Sequence, residues 1–567
     1  MASLKAKFVS SSLWSIIAAV INNLSTLVVF IALARLLTPF EFGIVAFATV
    51  FIDLSRILVV AGIPDALIQR QTWDREVANT AFWFNIILSI FIIAILSILV
   101  APLIGIFHGS EFSRVLVALS FLIFIEAIST VHVAKLRRDF RHKELARRGI
   151  ASNFISGVVG VILAVLGWGV WAMVASRIVG VGGTSIMLWM SSGFRPNLNF
   201  SYHHLRSLWK FSGSLLGSQI LNQSSAQVPS LLVGGYLGSI AIAQYRIGWR
   251  SLGLLTSLVI MPMQSAAVSA LSRLSHDRTM LGDAYLRLTR VCAFVSCPVF
   301  FGIAAIAPDF VPLVFGPQWK DASYVLVCLS LNAGPLTLGY FEAPVMNAAG
   351  RSDLTFTNSL VGTLGNIIAA AVALPLGPLG VAFALTVRSH VTLPYALGLV
   401  QKATGVRRWR AVRNVLPAYL CAAAMAAIVS LLRLFLLDEV SAFIRLLIAI
   451  GAGLLVYVAL LLIFAQHFIR LMLVELISLL PEKFSRFGVV KTYIASLETS
   501  SNSDTVVRIS EMAELLANRV LNEQLVGINT LDSDLAVLLR ASKLLQDYKV
   551  ELPPNLTEVL RSINSHA

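Results

Sequence analysis

The stretch ANTAFWFNIILSIFIIAILSILVAPLIG, residues 78–105, decides the fold class: it runs 28 residues without one charged side chain. A helix of ~20 such residues crosses the ~30 Å hydrocarbon core of a bilayer. It also satisfies its own backbone there, which an extended segment in lipid cannot do. Working outward, similar runs recur at 13–37, 40–63, 112–134, 149–166, 169–191, 208–235, 239–266, 286–307, 322–346, 352–374, 378–400, 412–436 and 442–466, which makes fourteen. β-Barrel alternation is absent, so the sequence predicts an all-α polytopic membrane protein with about 14 transmembrane helices.

Composition agrees. Of 567 residues, 57% are hydrophobic and only 13% are charged, against about 25% charged in soluble domains. That excludes an ordinary soluble enzyme, a disordered chain and a disulfide scaffold. The net charge of +15 comes mostly from short gaps between apolar runs, which is where topology signals sit. Nucleic acid is not an expected partner. Cys292, Cys297, Cys328 and Cys421 all fall inside apolar runs without metal-ligand spacing and read as packing residues. No metal and no cofactor are expected.

With the N-terminus in the cytoplasm, alternate gaps collect 24 Lys and Arg on the inner side and five on the outer side. The inner set includes Lys135, Arg137, Arg138, Arg141, Lys143, Arg147 and Arg148; the outer set is Arg35, Arg114, Lys320, Arg433 and Arg445. This asymmetry predicts both termini inside. The first run is too long for a cleaved signal and reads as a retained span. Beyond about Pro481 the apolar runs stop. Ser500-Ser501-Asn502-Ser503 reads as a linker, and 505–526 and 532–549 show helical spacing. The tail is expected to be a small cytoplasmic helical appendage. Asp532-Ser533-Asp534 reads as a solvated helix start, not a metal motif.

Ser12-Leu13-Trp14 opens the first run and Ser207-Leu208-Trp209 opens the seventh. Asn22-Asn23-Leu24-Ser25 and Asn222-Gln223-Ser224 follow at similar distances. A six-span unit of even parity gives a parallel repeat, as in transporters whose halves rock about the membrane normal. The expected units are 1–200 with spans 1–6, 201–405 with spans 7–12, 406–480 with spans 13–14 and an amphipathic exit segment, and 481–567 as the tail.

Several stretches carry a family resemblance. They are Ala34-Arg35-Leu36-Leu37-Thr38-Pro39 with Phe42-Gly43, Gly62-Ile63-Pro64-Asp65-Ala66-Leu67-Ile68-Gln69, and Leu136-Arg137-Arg138-Asp139-Phe140. Leu237-Gly238, Ala243-Gln244-Tyr245 and Leu313-Val314-Phe315-Gly316-Pro317-Gln318-Trp319 join them. Over about residues 1–470 the chain resembles the Wzx-type polysaccharide flippases of the multidrug/oligosaccharidyl-lipid/polysaccharide exporter superfamily, in the branch with colanic-acid and other exopolysaccharide exporters. The resemblance implies two six-helix lobes, two extra helices and a central cavity open to one side at a time. It implies movement of a polyprenyl-diphosphate-linked oligosaccharide from inner to outer leaflet, in a bacterial inner membrane. Expected partners are that lipid-linked oligosaccharide, the bilayer, and a polymerase or other polysaccharide-assembly proteins. The tail departs from the family pattern.

Ionisable residues within spans are costly and usually face a cavity. Arg177, Arg246, Arg250 and Arg388 sit well inside; Arg177, Arg250 and Arg388 lie roughly 12–16 Å from their outer helix ends. Arg246 and Arg250, four apart, share a helix face. Two guanidinium forks on one face suit a diphosphate; the alternative is pairing with acids. Asp53 and Glu126 are the candidate ion-coupling carboxylates, with Arg56 placed to neutralise Asp53 locally; Glu342 lies near an inner end. Gln219, Asn222, Gln223 and Gln227 form a polar stripe, as do Asn22, Asn23, Ser25 and Thr26. These amides either bond sugar hydroxyls or bond between helices. The substrate-binding candidates are therefore Arg246, Arg250, Arg177, Arg388, Asn22, Asn23, Gln219, Asn222 and Gln223. Pro262 and Pro229 mark kinks.

The competing classes are a membrane glycan polymerase or transferase and a cation-coupled drug exporter. The outer gaps Gly167-Trp168-Gly169 and 235–239 leave no room for a catalytic domain. His203-His204 lacks a following HxxxD acid, and no P-loop is present. A drug or cation antiporter would want an acidic cavity, whereas this one reads basic. The expectation is a transporter, not an enzyme.

Overall fold

The computed structural model describes residues 25–60, 63–69, 73–139, 141–275, 277–435, 440–466, 532–547 and 552–566, with Asn22 and single positions between 468 and 520. Residues Met1–Gln466 form one compact unit and His467–Ala567 a second. Ser12-Leu13-Trp14, Asn23 and the Ser500–Ser503 linker lie outside the described residues.

The described residues of the first unit form helices joined by turns and short irregular connections. In chain order it holds α1 (Ser25–Leu36), α2 (Pro39–Val60), α3 (Ile63–Gln69), α4 (Arg75–Ala94), α5 (Ala101–His108), α6 (Ser110–Arg138), α7 (His142–Val165) and α8 (Val170–Ser192). There follow α9 (Tyr202–Leu237), α10 (Ser239–Arg273), α11 (Arg278–Phe315), α12 (Lys320–Ser330), α13 (Ala333–Ala348), α14 (Ser352–Ala373), α15 (Gly377–Thr404), α16 (Arg408–Phe435) and α17 (Ala442–Phe464). It is an all-α polytopic membrane protein.

Among the described residues ten helical segments are long and apolar enough to cross a membrane, or eleven counting one bent pair. That is fewer than the fourteen apolar runs, and the reasons are local. The first run is described only from Asn22 onward, so α1 is short. The polar stripe of α9 keeps that helix out of the count despite its 36 residues. The segment Ser352–Thr404 counts once although it holds two helices, α14 and α15, joined by the turn Leu374–Leu376.

Two irregularities fall beside a proline. α12 and α13 meet at 59°, although 322–346 reads as one run. Pro335 lacks the N–H that would reach Leu331 and its ring crowds that carbonyl, which favours the break at this point. Pro102 likewise cannot donate backwards, and a π-helical turn spans Ile95–Val100 between α4 and α5. By contrast, α10 runs unbroken through Pro262.

α17 shows how the bundle meets its surroundings. Ala449, Gly453, Tyr457 and Leu461 form its buried stripe, and the Tyr457 hydroxyl donates to the Phe294 carbonyl of α11 (3.1 Å). Leu454, Leu455, Val458 and Leu462 stay exposed, an apolar face that suits lipid and not water. In the second unit, α18 (Asp532–Asp547) and α19 (Pro554–His566) share a small core in which Leu538, Leu545, Leu556 and Val559 meet Ala513, Ala517 and Val520. Asp532 is the first residue of α18, so the expected helix start falls here.

A cationic cavity as the candidate functional site

A cavity of about 1130 Å³ lies within the first unit, walled by α1, α2, α6, α7, α8, α9 and α10. α2 and α6 run the same way along it. Its wall therefore extends from Phe30, Leu33 and Phe42 at one end to Pro64 and Arg137 at the other. Among the described residues the wall carries five arginines, Arg56, Arg137, Arg177, Arg246 and Arg250, against two carboxylates, Asp53 and Glu126.

The charges are linked unequally. Gln227 Nε2 donates to Asp53 Oδ2 (3.1 Å), and Arg246 Nη1 donates to Gln227 Oε1 (3.1 Å). Arg246 Nη2 lies 3.9 Å from the same Asp53 oxygen. Arg56 bridges the carboxylates, at 3.1 Å from Glu126 and 3.9 Å from Asp53. Arg56 thus pairs with Asp53, as its i+3 spacing predicts, and also with Glu126. Arg177 and Arg250 have no hydrogen bond or ion pair among the described residues.

The helical spacing explains which side chains arrive. Arg246, Trp249 and Arg250 occupy one face of α10 and all line the cavity. Trp249 stacks on buried Tyr245 (ring centroids 6.2 Å apart, 16° between planes), which fixes its ring. Gln219, Gln223 and Gln227 recur every fourth residue along α9 and line the same cavity. Asn222, three residues after Gln219, is exposed and is not part of the wall.

Two other candidates sit apart from it. Asn22 Oδ1 accepts from Asn153 Nδ2 (3.1 Å); Asn153, not Asn22, lines the cavity. Arg388 Nη2 donates to Asn366 Oδ1, and Asn366 Nδ2 donates in turn to Ser225 Oγ (2.8 Å), so this guanidinium ties α15 to α14 and, through it, to α9. It was expected to add to the cavity's positive potential, but it is absent from the wall. Depth along a helix follows from residue rise, whereas the direction around the axis depends on neighbours. Trp249, Arg137 and Asn153 escaped the sequence reading. Spacing alone signals Trp249, which lies three residues from Arg246 and beside Arg250.

The family described as "Polysaccharide biosynthesis protein" matches residues 32–324, more than half of the chain. The chain belongs to this family. Its relatives include the succinoglycan biosynthesis transport protein ExoT of Rhizobium meliloti (strain 1021), 27% identical over 60% of this chain and 69% of that protein. The lipopolysaccharide biosynthesis protein WzxC of Escherichia coli (strain K12) is 23% identical over 69% of this chain and 82% of its own length. Among solved structures, the lipid II flippase MurJ in an inward closed conformation superposes with a TM-score of 0.66, covering 81% of this chain and 100% of MurJ at 15% identity. That likeness establishes a shared fold. The matched family region runs from the last turn of α1 into α12 and so contains most of the cavity wall.

Proposed function

We propose that this polysaccharide biosynthesis family member is an alternating-access flippase. It moves a polyprenyl-diphosphate-linked oligosaccharide repeat unit from the inner to the outer leaflet for surface polysaccharide assembly, and it is not an enzyme. One observation carries the reading. A large cavity in an apolar bundle holds more guanidinium than carboxylate, and Arg177 and Arg250 point into it unpaired among the described residues. A diphosphate cannot cross hydrocarbon without compensating charge. Arginine supplies that charge with forked donors that match phosphate oxygens. The transport and polysaccharide functions named for ExoT and WzxC support the same reading.

In this reading Arg177, Arg246 and Arg250 hold the diphosphate. Trp249 with the amides of Gln219, Gln223 and Gln227 meets the sugars. Asp53 and Glu126 are the ion-coupling carboxylates. The chain crosses a bacterial inner membrane fourteen times as two six-helix lobes in parallel repeat plus two further helices, with both termini cytoplasmic, as the 24-to-five distribution of basic residues supports. The Arg137 end of the cavity then faces the cytoplasm. A polymerase consumes the delivered unit outside. A drug exporter for cationic substrates is disfavoured by the same excess of arginine.

The test is export itself. Arg250→Ala should lower surface glycan about 10- to 100-fold, the loss of one or two charge-assisted phosphate contacts, while the lipid-linked unit accumulates inside. Arg250→Lys should keep part of the activity because the charge remains without the fork. Normal export by folded Arg250→Ala protein would overturn the assignment.

A further inference from the structure

Two stretches some 280 residues apart in sequence close the cavity at the end opposite Arg137. One is the α1–α2 turn, the other the turn from α11 into α12. Arg35 Nε donates to the Val314 carbonyl (2.7 Å), and its Nη2 donates to the Leu313 carbonyl. In return, Trp319 Nε1 and Gln318 Nε2 donate to the Ala34 carbonyl (2.8 and 3.0 Å). Each helix C-terminus is thus capped by side chains of the other stretch. The acceptors belong to the last turns of α1 and α11, whose carbonyls lack intrahelical partners and sit at the negative end of the helix dipole.

Aromatic rings fill the space beneath. Phe30 meets Phe42 (5.6 Å) and Phe315 (5.7 Å), and Phe42 meets the fully buried Trp319 ring (5.2 Å), all edge to face. Phe30 and Phe42 are also cavity wall, so the plug is the cavity's end. Both turns are locally rigid. Thr38 and Glu41 form a reciprocal capping box at the start of α2 (Thr38 N to Glu41 Oε2 2.8 Å, Glu41 N to Thr38 Oγ1 3.3 Å). Gly316 takes a φ of +112°, open to glycine, and so turns Gln318 and Trp319 back toward α1. Beside them α2 packs on the first residue of α10 so closely that a Cβ on Gly43 would lie 1.9 Å from the Ser239 carbonyl oxygen.

Among the described residues, the polar contacts across this junction join cationic or neutral donors to main-chain carbonyls, without a carboxylate in either partner set. Water can replace every one of those acceptor bonds when the turns part, so separation strands no buried charge. We propose that Arg35 and Trp319 are a reciprocal latch. Its release opens the cavity to the side opposite Arg137, and its closure holds the state seen here.

The inference rests on the cavity being a two-sided transport path, but its test needs no substrate. In a background with all four native cysteines replaced, Thr49→Cys reports access to the cavity wall between the plug and Asp53. Membrane-impermeant maleimide is applied to intact cells and, separately, to inverted membrane vesicles. Trp319→Phe keeps an aromatic ring, although a smaller one, and removes the N–H; Arg35→Gln removes the charged fork. Each should raise labelling from the cell exterior several-fold and lower it from the vesicle side, and the double variant should do so more strongly. Arg35→Lys should fall between. Unchanged exterior labelling in folded Trp319→Phe protein overturns the latch, as does a rise from both sides together, which signals loosened packing. Either result leaves the Arg250 export test standing.

Discussion

Two arginine clusters inside this bundle make opposite use of the same chemistry. At the far end of α11, Asp309 is gripped by Arg433 from α16 (3.2 Å) and Arg445 from α17 (3.8 Å), all three largely buried. In the cavity, five arginines face two carboxylates, and the surplus points into open volume. Charge surrounded by protein fixes helices; charge surrounded by space is available to a ligand. Both clusters hold more arginine than carboxylate among the described residues, so composition alone does not separate them. What differs is whether the side chain runs out of protein before it runs out of donors.

The largest expected effect tests the clamp. Asp309→Asn leaves two guanidiniums without their carboxylate, and breaking a buried pair from one side costs about 3–5 kcal/mol. Thermal unfolding in detergent should show a pronounced loss of stability, with α16 and α17 exchanging amide protons sooner. A variant as stable as the parent would mean that the clamp is ornamental and the contrast false.

Next comes the Arg250→Ala export defect, which should appear at unchanged stability. A variant that loses stability and export together would move Arg250 into the clamp class.

Arg388 sharpens the boundary between the classes. It is a midspan arginine that bonds protein, through Asn366, and not the cavity. Arg388→Gln should reduce thermal stability while export falls less than about threefold, well short of the tenfold expected for loss of a phosphate contact. An export defect matching that of Arg250→Ala would restore Arg388 to the substrate path.

The smallest effect concerns a carboxylate held without arginine. Asp277 caps α11, accepting from Thr279 N (2.7 Å), Thr279 Oγ1 (2.6 Å) and Met280 N (3.2 Å). The Thr279 hydroxyl first, then the two backbone N–H groups, hold its pKa below the ordinary carboxylate value. Because the folded-state pKa is depressed, its contribution is complete above the unfolded-state value and fades as pH falls through the folded one. Asp277→Ala should therefore narrow the stability difference between neutral and acidic solution slightly. An identical pH profile for parent and variant would show the cap to be irrelevant.

Much of the architecture is legible in one dimension. Uninterrupted apolar runs require helices in lipid, so most of the spanning helices follow from hydropathy, although the short α3 and the break between α12 and α13 do not. The four-residue spacing of Arg246 and Arg250, and of Gln219, Gln223 and Gln227, places each set on one face, because 3.6 residues make a turn. Charge asymmetry between gaps predicts an orientation by the same kind of local rule.

Rotation about a helix axis is another matter. Residue rise gave Arg388 and Arg250 equal depth, yet packing turned one toward Asn366 and the other into the cavity. Arg433 and Arg445 count as loop charges in sequence, and only the approach of α11 brings Asp309 between them. Gln227 joins Asp53 to Arg246 across 174 and 19 residues of chain, a meeting that no local pattern encodes. The stretches at 34–43 and 313–319 each read as an isolated motif, and tertiary structure makes them two halves of one seam. Local hydropathy and helical periodicity act on neighbours in the chain, whereas which face meets which helix depends on side-chain packing between segments hundreds of residues apart.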